Sequence, residues 1–577
     1  MKLERRLGSY PFLKVSHQTD GMMRIEGDHH SVSPQRRRVI IPSGTSKGTI
    51  WNQHGNYEKA AEVFCFSRHR TDRMLSIKGD ASPSLFKLSL AGINLQSQHT
   101  THNTQHNIEM ATAEHYDFIA LGAGEAAKLL AWDLSSKHGK KCAVIEHGPI
   151  AGACPTVACM PSKTLVHLAS VVHQTRHDAP IFVHGTAAQG DVKADMAAVI
   201  AQKKAVVDGL AESFLGIFAD TKVELIRGHG HLVGPKTVAV NGRLLTADTV
   251  VINTGSKAAV DASIPGMLDA KPMTHVELLE LTTLPDHLII LGGGYVGLEF
   301  AQAFVRFGAK VTVVERNDRL LKAEDADVIA ELTAVLSREG VQFLTSTTVT
   351  SVSGVSGDGV TLHLSEPGPA TEIRGSHLLV ATGRTPTTSG IGLVEAGIRL
   401  RPAGHVAVDE QLRTSVSGVF AVGDCAGSPY FTHIGWDDYR VLLASLTGSP
   451  REGGTTNRQV PSVLFTSPEL AHVGLREHEA KAKGIPYRIA KLPMAEILRT
   501  RALGETTGFA KVLVEADGDK VLGFTALGPG VGELLPVVQL VMKLGLSYRE
   551  IVDLIIVHPT MCEGLVDLFR SVPPRDM

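Results

Sequence analysis

The chain has 577 residues, with 57 lysines and arginines against 59 aspartates and glutamates and a formal net charge of −2. This length predicts about three or four domains, and the near-neutral charge argues against nucleic acid or a membrane as a partner. The six cysteines are too few for a secreted disulfide framework, no apolar run reaches the ~18 residues of a membrane span, and no signal peptide is evident, so we expect a protein of the cytoplasm or, alternatively, of mitochondria.

Residues 1–112 differ in composition from the rest of the chain. They are rich in His, Ser, Gln, Asn and Arg and show no sustained helical or strand periodicity. We expect this N-terminal extension to be disordered. Two alternatives stay open: a mitochondrial presequence, against which acidic residues such as Glu4 and Asp20 count, and translation from Met110, which would leave the preceding residues outside the protein.

The first regular pattern is a nucleotide-binding fingerprint in residues 116–146. A buried-strand run precedes the loop Gly122-Ala-Gly-Glu-Ala-Ala127, a helix-like segment follows, and a second strand ends in an acid. This G-x-G-x-x-A loop in a β-α-β frame predicts a dinucleotide site, with a tight turn for the pyrophosphate and a carboxylate for the ribose hydroxyls. The predicted contacts are Gly122, Gly124, Ala127 and Glu146.

A cysteine pair follows at once, in the run Gly152-Ala-Cys154-Pro-Thr-Val-Ala-Cys159-Met-Pro-Ser-Lys163. The prolines suit a loop that enters a helix, and the first turn of a helix depresses a thiol pKa through its free N–H groups and dipole. We interpret Cys154 and Cys159 as a pair that cycles between disulfide and dithiol. By spacing alone they could instead be half of a zinc site or two unconnected buried thiols. Nothing near them completes a metal site, so we expect no bound metal.

The same fingerprint recurs in residues 288–315. A strand leads into Gly292-Gly-Gly-Tyr-Val-Gly-Leu-Glu299, a helix follows, and the next strand ends in an acid. Two dinucleotide sites in one chain indicate a bound flavin served by an exchanging nicotinamide nucleotide. The acid favours NADH because it repels a 2′-phosphate, although Arg316 and Arg319 could accommodate NADPH. The predicted contacts are Gly292, Gly294, Gly297 and Glu315.

Three further segments are typical of strand-end turns beside a cofactor. Thr254-Gly255-Ser256 ends one strand, and Thr382-Gly383-Arg384 ends another. A third strand delivers Asp424, which we assign to the flavin ribityl chain rather than to a helix cap.

The last segment, from about residue 451, alternates short strands with amphipathic helices. Residues 531–544 carry apolar side chains at helical spacing, which indicates core or a subunit interface. Farther on, His558-Pro-Thr-Met-Cys-Glu563 pairs a histidine with a carboxylate. Taken alone, such a histidine is more often a packed or surface residue than a base.

These motifs occur together in the order of a known family. From residue 116 to 569 the sequence resembles the class I FAD-dependent pyridine nucleotide–disulfide oxidoreductases, which include dihydrolipoamide dehydrogenase, glutathione reductase and mercuric reductase. The resemblance implies an α/β fold with two Rossmann-like dinucleotide-binding domains, for FAD and NAD(P), and a C-terminal α+β dimerisation domain. The implied boundaries are 113–265 with 385–450 for FAD, 266–384 for NAD(P) and 451–577 for dimerisation.

The resemblance also implies roles for the cysteine loop and its neighbours. Cys159 would be the charge-transfer thiol next to the flavin, and Cys154 the interchange thiol that meets the substrate. Lys163 would lie beside flavin N5 and pair with Glu299. Tyr295 would be an aromatic gate that swings aside when nicotinamide arrives.

By the same resemblance, His558 and Glu563 would form an acid/base dyad in which the carboxylate orients the imidazole. The dyad would reach the thiols of the other subunit, so a homodimer with a shared active site is implied. The His558–Pro559 bond could then be cis. Further implied cofactor contacts are Gly230, Thr254, Gly255, Ser256, Asp424 and Phe431 for FAD, and Tyr295, Glu299 and Gly383 for NAD.

The combined pattern predicts an enzyme that passes electrons from NAD(P)H through FAD and the cysteine pair to a small-molecule disulfide, thiol or metal ion. The run Phe431-Thr-His433-x-x-x-Asp437-Asp438 is most similar to the mercuric-reductase-like branch. Efficient mercury reduction is not expected, because no cysteine follows Cys562 and no CxxC precedes residue 113. The alternatives are dihydrolipoamide dehydrogenase, whose usual Asn-Val-Gly pattern in the active loop is Pro-Thr-Val-Ala here, and a flavin-binding redox sensor or interaction protein without turnover.

Overall fold

The computed structural model describes residues 13–17, 23–27, 113–177, 192–365 and 371–575. The chain divides into two compact units, Met1–Gln105 and His106–Met577. In the first unit, strands β1 (Leu13–His17) and β2 (Met23–Gly27) pair antiparallel. The rest of the extension expected to be disordered lies outside the described residues, so that expectation and a start at Met110 stay predictions.

The second unit contains the remaining described elements. Its strands are β3 (Glu114–Leu121), β4 (Cys142–Glu146), β5 (Glu224–Arg227), β6 (His231–Gly234), β7 (Thr237–Val240), β8 (Arg243–Ile252), β9 (Ser256–Ala258), β10 (His287–Leu291), β11 (Lys310–Val314), β12 (Val341–Leu344), β13 (Val349–Val355), β14 (Gly359–Leu364), β15 (Glu372–Gly375), β16 (His377–Val380), β17 (Arg384–Pro386), β18 (Val419–Ala421), β19 (Ser462–Leu464), β20 (Glu469–Gly474), β21 (Tyr487–Pro493), β22 (Phe509–Glu515) and β23 (Val521–Gly528). Its α-helices are α1 (Glu125–His138), α2 (Ala153–Thr156), α3 (Cys159–His177), α4 (Met196–Asp220), α5 (His275–Leu278), α6 (Tyr295–Phe307), α7 (Ala326–Arg338), α8 (Thr432–Leu446), α9 (Glu477–Ala482), α10 (Leu498–Leu503), α11 (Leu535–Leu544), α12 (Arg549–Val552) and α13 (Glu563–Arg570).

The first large sheet has the strand order β5-β4-β3-β8-β7-β6, and β18 pairs with the free end of β8. Strands β5, β4, β3, β8 and β18 run parallel to one another. Strand β7 pairs antiparallel with β8, and β6 pairs antiparallel with β7. Every residue of β4 is buried, as expected for a parallel strand that is covered on both faces. The carboxyl ends of the parallel strands meet at one edge, which is where open α/β sheets bind ligands.

The second sheet is fully parallel, with the order β12-β11-β10-β16. Helices α6 and α7 follow β10 and β11, and the apolar side of α6 packs into the core through Phe304 and Phe307. A three-stranded antiparallel sheet, β13-β14-β15, covers the opposite face. The second sheet and its helices repeat the β-α-β arrangement of the first sheet.

The third sheet is antiparallel and five-stranded, with the order β19-β20-β23-β22-β21. Helices α11 and α13 bury their apolar faces on it through residues such as Val538 and Leu568. The architecture confirms the predicted α/β fold with a C-terminal α+β segment, while the domain boundaries stay predictions. Among the described residues, no helix is long and apolar enough to cross a membrane.

Candidate active site

The cysteine loop lies against the first glycine loop. Cys154 belongs to the short helix α2, Cys159 is the first residue of the 19-residue helix α3, and both thiols are free. Gly152 has a φ of +81°, and a Cβ there would lie 2.9 Å from the carbonyl oxygen of Ala123 and 3.0 Å from the Cα of Gly124. Only glycine allows this close approach without strain, so Gly152 lets the cysteine loop pack against the dinucleotide fingerprint.

The two thiols have opposite pKa shifts. The hydrogen bond from Cys154 lowers the pKa of Cys159, helped by the Thr432 hydroxyl 3.3 Å from its sulfur and by the charge of Lys163. The same hydrogen bond, together with burial, raises the pKa of Cys154. Cys159 also starts a long helix, where the dipole favours an anion. The geometry therefore makes Cys159 the thiolate and Cys154 the protonated thiol of the reduced pair.

Lys163 and Glu299 form an ion pair one helical turn beyond Cys159. The Lys163 Nζ lies 2.6 Å from a Glu299 oxygen, and the Glu299 side chain is largely buried. The other Glu299 oxygen accepts the N–H of Phe465 at 3.1 Å, and Lys163 Nζ lies 4.6 Å from the Phe465 ring centre. The ion pair expected from the sequence is thus present, and it joins α3, α6 and the C-terminal segment.

The first glycine loop fits the pyrophosphate of FAD. Gly122 has a φ of +94°, and a Cβ there would lie 2.4 Å from the Asn253 carbonyl oxygen, so a side chain is excluded. Gly124 caps α1 without a side-chain hydrogen bond, which leaves backbone donors of the first turn for an anion. Glu146, at the end of β4, is almost buried and accepts the N–H of Ala123 at 2.8 Å. The loop is therefore held in place by the predicted acid.

The second glycine loop repeats this arrangement and fits a nicotinamide dinucleotide. Gly294 caps α6, again without a side-chain hydrogen bond. Glu315, directly after β11, accepts the N–H of Gly293 at 2.8 Å. Its second oxygen accepts the backbone N–H of Asn317 at 2.8 Å and the Asn317 side-chain N–H at 2.5 Å. Arg316 points to solvent. The sequence did not identify Asn317, which fixes the carboxylate from a position two residues away.

Asp424 follows β18 at the same sheet edge as the first glycine loop. It accepts a short hydrogen bond from the Ser256 hydroxyl, and the Arg384 Nε lies 3.8 Å away. Arg384 also donates to the Ser256 hydroxyl at 2.7 Å. Burial raises the pKa of Asp424. A partly buried acceptor whose side chain is 27% exposed, at a cofactor edge, suits a hydroxyl ligand such as the ribityl chain.

Asp438 supports the turn that carries Asp424. It is fully buried, and it accepts the N–H of Gly423 and the Ser428 hydroxyl, each at 2.7 Å. Its other oxygen pairs with Arg458 at 2.5 Å. The sequence offered Asp438 only as part of a branch motif, without a role.

The other predicted cofactor contacts lie at the same two sheet edges. Thr254 and Gly255 follow β8, and Gly383 lies between β16 and β17. Gly230 lies between β5 and β6. The predicted small residues in the first turns of α1 and α6 are Ala127 and Gly297.

Tyr295 stands where the second glycine loop meets the cysteine site. It is the first residue of α6, and its ring lies edge-to-face with Phe431 at 6.2 Å. Burial raises the pKa of Tyr295 to about 12. Phe431 directly precedes Thr432, the residue that contacts the Cys159 sulfur. The predicted gate and the thiolate are therefore connected through one short turn.

The dyad lies on the surface of the C-terminal segment. His558 Nδ1 is 2.9 and 3.0 Å from the two Glu563 oxygens, so it donates to the carboxylate and leaves Nε2 free. The His558–Pro559 bond is cis, as expected. Within the described residues of this single chain, no hydrogen bond joins His558 to Cys154 or Cys159. The histidine is 60% exposed and is available to a second molecule.

Metal ligands do not cluster in the described part of the chain. No group of three His, Cys, Asp or Glu side chains there is arranged to hold an ion.

Two Rossmann-like sheets, each with a glycine loop and a strand-end acid, and a cysteine pair at the start of α3 define a class I flavoprotein disulfide reductase. The chain belongs to the pyridine nucleotide-disulphide oxidoreductase family: the model of that family matches residues 116–441, and the model of its dimerisation domain matches residues 460–569. The chain is thus an oxidoreductase of a family that uses FAD and NAD(P)H, which confirms the expected cofactors. The dimerisation domain supports a homodimer.

Relatives with different names have similar sequence identities to this chain. Mitochondrial dihydrolipoyl dehydrogenase of Pisum sativum is 31% identical, over 78% of this chain and 90% of the relative. Mercuric reductase of Bacillus cereus is 32% identical, over 78% of this chain and 70% of the relative. The solved Cu(II) complex of the HOCl-induced flavoprotein disulfide reductase RclA from Escherichia coli is 32% identical, with a TM-score of 0.72, over 80% of this chain and all of that one.

Proposed function

We propose that the protein is an NAD(P)H-dependent reductase whose Cys154–Cys159 pair passes two electrons to a small-molecule disulfide or a thiophilic metal ion. The observation that carries this proposal is the placement of the two thiols: Cys159 starts the long helix α3 and lies 3.3 Å from the Thr432 hydroxyl, and Cys154 lies on the preceding helix α2. The directions of the pKa shifts agree with this placement, since the pKa of Cys159 is lowered and that of Cys154 is raised. A redox-active pair needs two thiols with different roles, because one must remain a thiolate while the other reacts with the substrate.

Separate residues of the chain would bind the two cofactors, stabilise the Cys159 thiolate and control access to the nicotinamide position. Bound FAD would supply the two-electron chemistry that links NAD(P)H to opening of the Cys154–Cys159 disulfide. The first loop, Asp424 and Ser256 would bind FAD, and the second loop with Glu315 would bind the nicotinamide nucleotide. Thr432 and Lys163 stabilise the Cys159 thiolate. Tyr295 would cover the nicotinamide position and move aside when the nucleotide enters.

The proton on Cys154 needs a base, because its pKa is raised. We assign this base to His558 of the second subunit, oriented by Glu563 through the hydrogen bond at Nδ1. Once deprotonated, the Cys154 thiolate attacks one sulfur of a disulfide substrate, and the other sulfur leaves as a thiol after protonation. Attack of Cys159 on the mixed disulfide then releases the second thiol and closes the Cys154–Cys159 bond.

The test is an acceptor screen with purified holoenzyme and NADH, using glutathione disulfide, lipoamide, Cu(II), Hg(II) and a quinone. We expect turnover with at least one disulfide or metal ion, and its loss in Cys154→Ser. Quinone reduction that survives Cys154→Ser would instead mean that electrons leave without the cysteine pair. No turnover with any acceptor would favour a redox sensor.

The second candidate is a dihydrolipoamide dehydrogenase. It is favoured by the 31% identity to the Pisum sativum dehydrogenase over 90% of that protein. Oxidation of dihydrolipoamide with NAD at metabolic rates, about 1–10³ per second, would establish it in place of the reductase.

A further inference from the structure

A buried ion pair joins the nucleotide-binding part of the chain to the dimerisation domain next to Tyr295. The two oxygens of Glu324 accept hydrogen bonds from Arg476 at 2.6 and 2.8 Å, and the Glu324 side chain is only 1% exposed. Glu324 lies just before α7, and Arg476 lies just before α9. A desolvated carboxylate held by two charge-assisted hydrogen bonds stays in one position, because leaving it unpaired would be costly.

The Tyr295 hydroxyl lies beside the Glu324–Arg476 ion pair. It lies 3.4 Å from a Glu324 oxygen and 3.2 Å from the Ser462 hydroxyl. Tyr295 and Glu324 belong to the nucleotide-binding segment, whereas Ser462 and Arg476 belong to the dimerisation segment. The observed position of the tyrosine is therefore anchored from both domains, at the end of the side chain that must move.

We propose that Glu324, held by Arg476, is a positioning residue that keeps Tyr295 closed and thereby weakens the apparent affinity for the nicotinamide nucleotide. This proposal rests on the gate role proposed above for Tyr295. If only the open form admits the nucleotide, the apparent Kd rises as the open fraction falls. Loosening the anchor raises the open fraction and tightens nucleotide binding without changing the reacting groups.

The test compares Glu324→Gln, Tyr295→Phe and the double variant as holoenzymes. We expect each single variant to lower the Kd of NAD⁺, measured by titration calorimetry, by about threefold to tenfold. For Glu324→Gln, the limiting rate of flavin reduction by NADH in an anaerobic stopped-flow experiment should stay within about twofold. The double variant should match Tyr295→Phe, because the change at Tyr295 already removes the contact with Glu324.

The matched control is Glu339→Gln. Glu339 also makes a buried two-pronged pair, to Arg306 at 2.7 Å on the same helix as Tyr295, but it does not contact the tyrosine. Its variant should leave the Kd unchanged. Arg476→Lys keeps the positive charge but cannot make both hydrogen bonds to Glu324, so it should give an intermediate Kd. It replaces Glu324→Gln in the test if that variant does not fold.

The possible results distinguish the role proposed for Glu324 from the gate role proposed for Tyr295. An unchanged Kd in Glu324→Gln with a lowered Kd in Tyr295→Phe overturns the role of Glu324 and leaves the gate in place. An unchanged Kd in Tyr295→Ala overturns the gate itself. Equal effects of Glu324→Gln and Glu339→Gln, or additive effects in the double variant, would show only a general loss of rigidity and would also overturn the proposal.

Discussion

The Thr432 hydroxyl is a neutral group beside the cysteine pair that stabilises the Cys159 thiolate, and it lies 3.3 Å from the sulfur. We predict that Thr432→Val raises the pKa of Cys159 by about one unit, because a hydrogen bond to a charged group contributes about 1.5–3 kcal/mol and Cys154 still donates. The pKa of Cys159 is lowered in the native protein, so its thiolate persists below the usual thiol range and is lost as the pH falls. The measurement is the pH dependence of iodoacetamide alkylation of the reduced protein, with the labelled cysteine identified by mass spectrometry.

Thr164→Val is the control for this change. Thr164 lies on the same helix as Cys159, and its hydroxyl donates to the Met160 carbonyl at 2.9 Å rather than to a sulfur. Its alkylation profile should match that of the unchanged protein. A Thr432→Val profile that also matches would assign the lowered pKa of Cys159 to Cys154, Lys163 and the helix start, without Thr432.

At the scale of elements, two strand-end acids hold the two glycine loops, and we expect the second, Glu315, to decide which nicotinamide nucleotide binds. We predict that Glu315→Gln raises the ratio of kcat/KM for NADPH to that for NADH by about tenfold, because a neutral amide no longer repels the 2′-phosphate. Steady-state kinetics with both nucleotides measure the ratio. Asp318→Asn removes one exposed charge from the same turn and should leave the ratio unchanged; a shift there of equal size would mean that general charge, not the strand-end position, discriminates.

The turn after β18 depends in the same way on α8. Asp438 holds the Gly423 N–H and the Ser428 hydroxyl, and thereby the position of Asp424. We predict that Asp438→Asn raises the Kd of FAD about tenfold, since weakening a buried charge-assisted contact costs about 1.5–3 kcal/mol. Flavin fluorescence after dialysis measures the loss. Asp437→Asn, which breaks a two-pronged pair with Arg451 but does not touch the turn, should retain FAD.

These elements show where sequence reasoning succeeds and where it stops. Both glycine loops, their acids and the cysteine pair were predictable, because each is a local pattern whose spacing follows from a strand, a turn and a helix. The contact of Thr432 with Cys159 joins residues 273 positions apart, and that of Arg476 with Glu324 joins residues 152 apart. Such contacts depend on how sheets and domains pack, and a single threonine or arginine carries no local signal for them.

At the scale of the whole molecule, the proposed mechanism needs a second chain, because it assigns the base to the partner subunit. His558 and Glu563 are hydrogen-bonded to each other, yet the histidine faces solvent, and its neighbours Ile555 and Val557 are 102% and 75% exposed. Large apolar side chains in such positions indicate a buried interface in the assembled protein. We predict that Ile555→Asp converts the dimer to a monomer in analytical ultracentrifugation and abolishes NADH-dependent disulfide reduction. A monomer that keeps full activity would place the dyad outside the reaction.

Subunit complementation tests the shared site directly. If His558 serves the cysteines of the partner subunit, a heterodimer of Cys154→Ser and His558→Ala chains has one intact site and one doubly defective site. Random pairing of the two inactive chains should then restore about a quarter of the wild-type activity, because about half of the dimers are mixed and half of their sites are whole. Pairing Cys154→Ser with Cys159→Ser should restore none, since both thiols come from one chain. No restoration by the first mixture would show that the dyad does not act across the dimer, and restoration by the second would show that the two thiols of one site come from different chains.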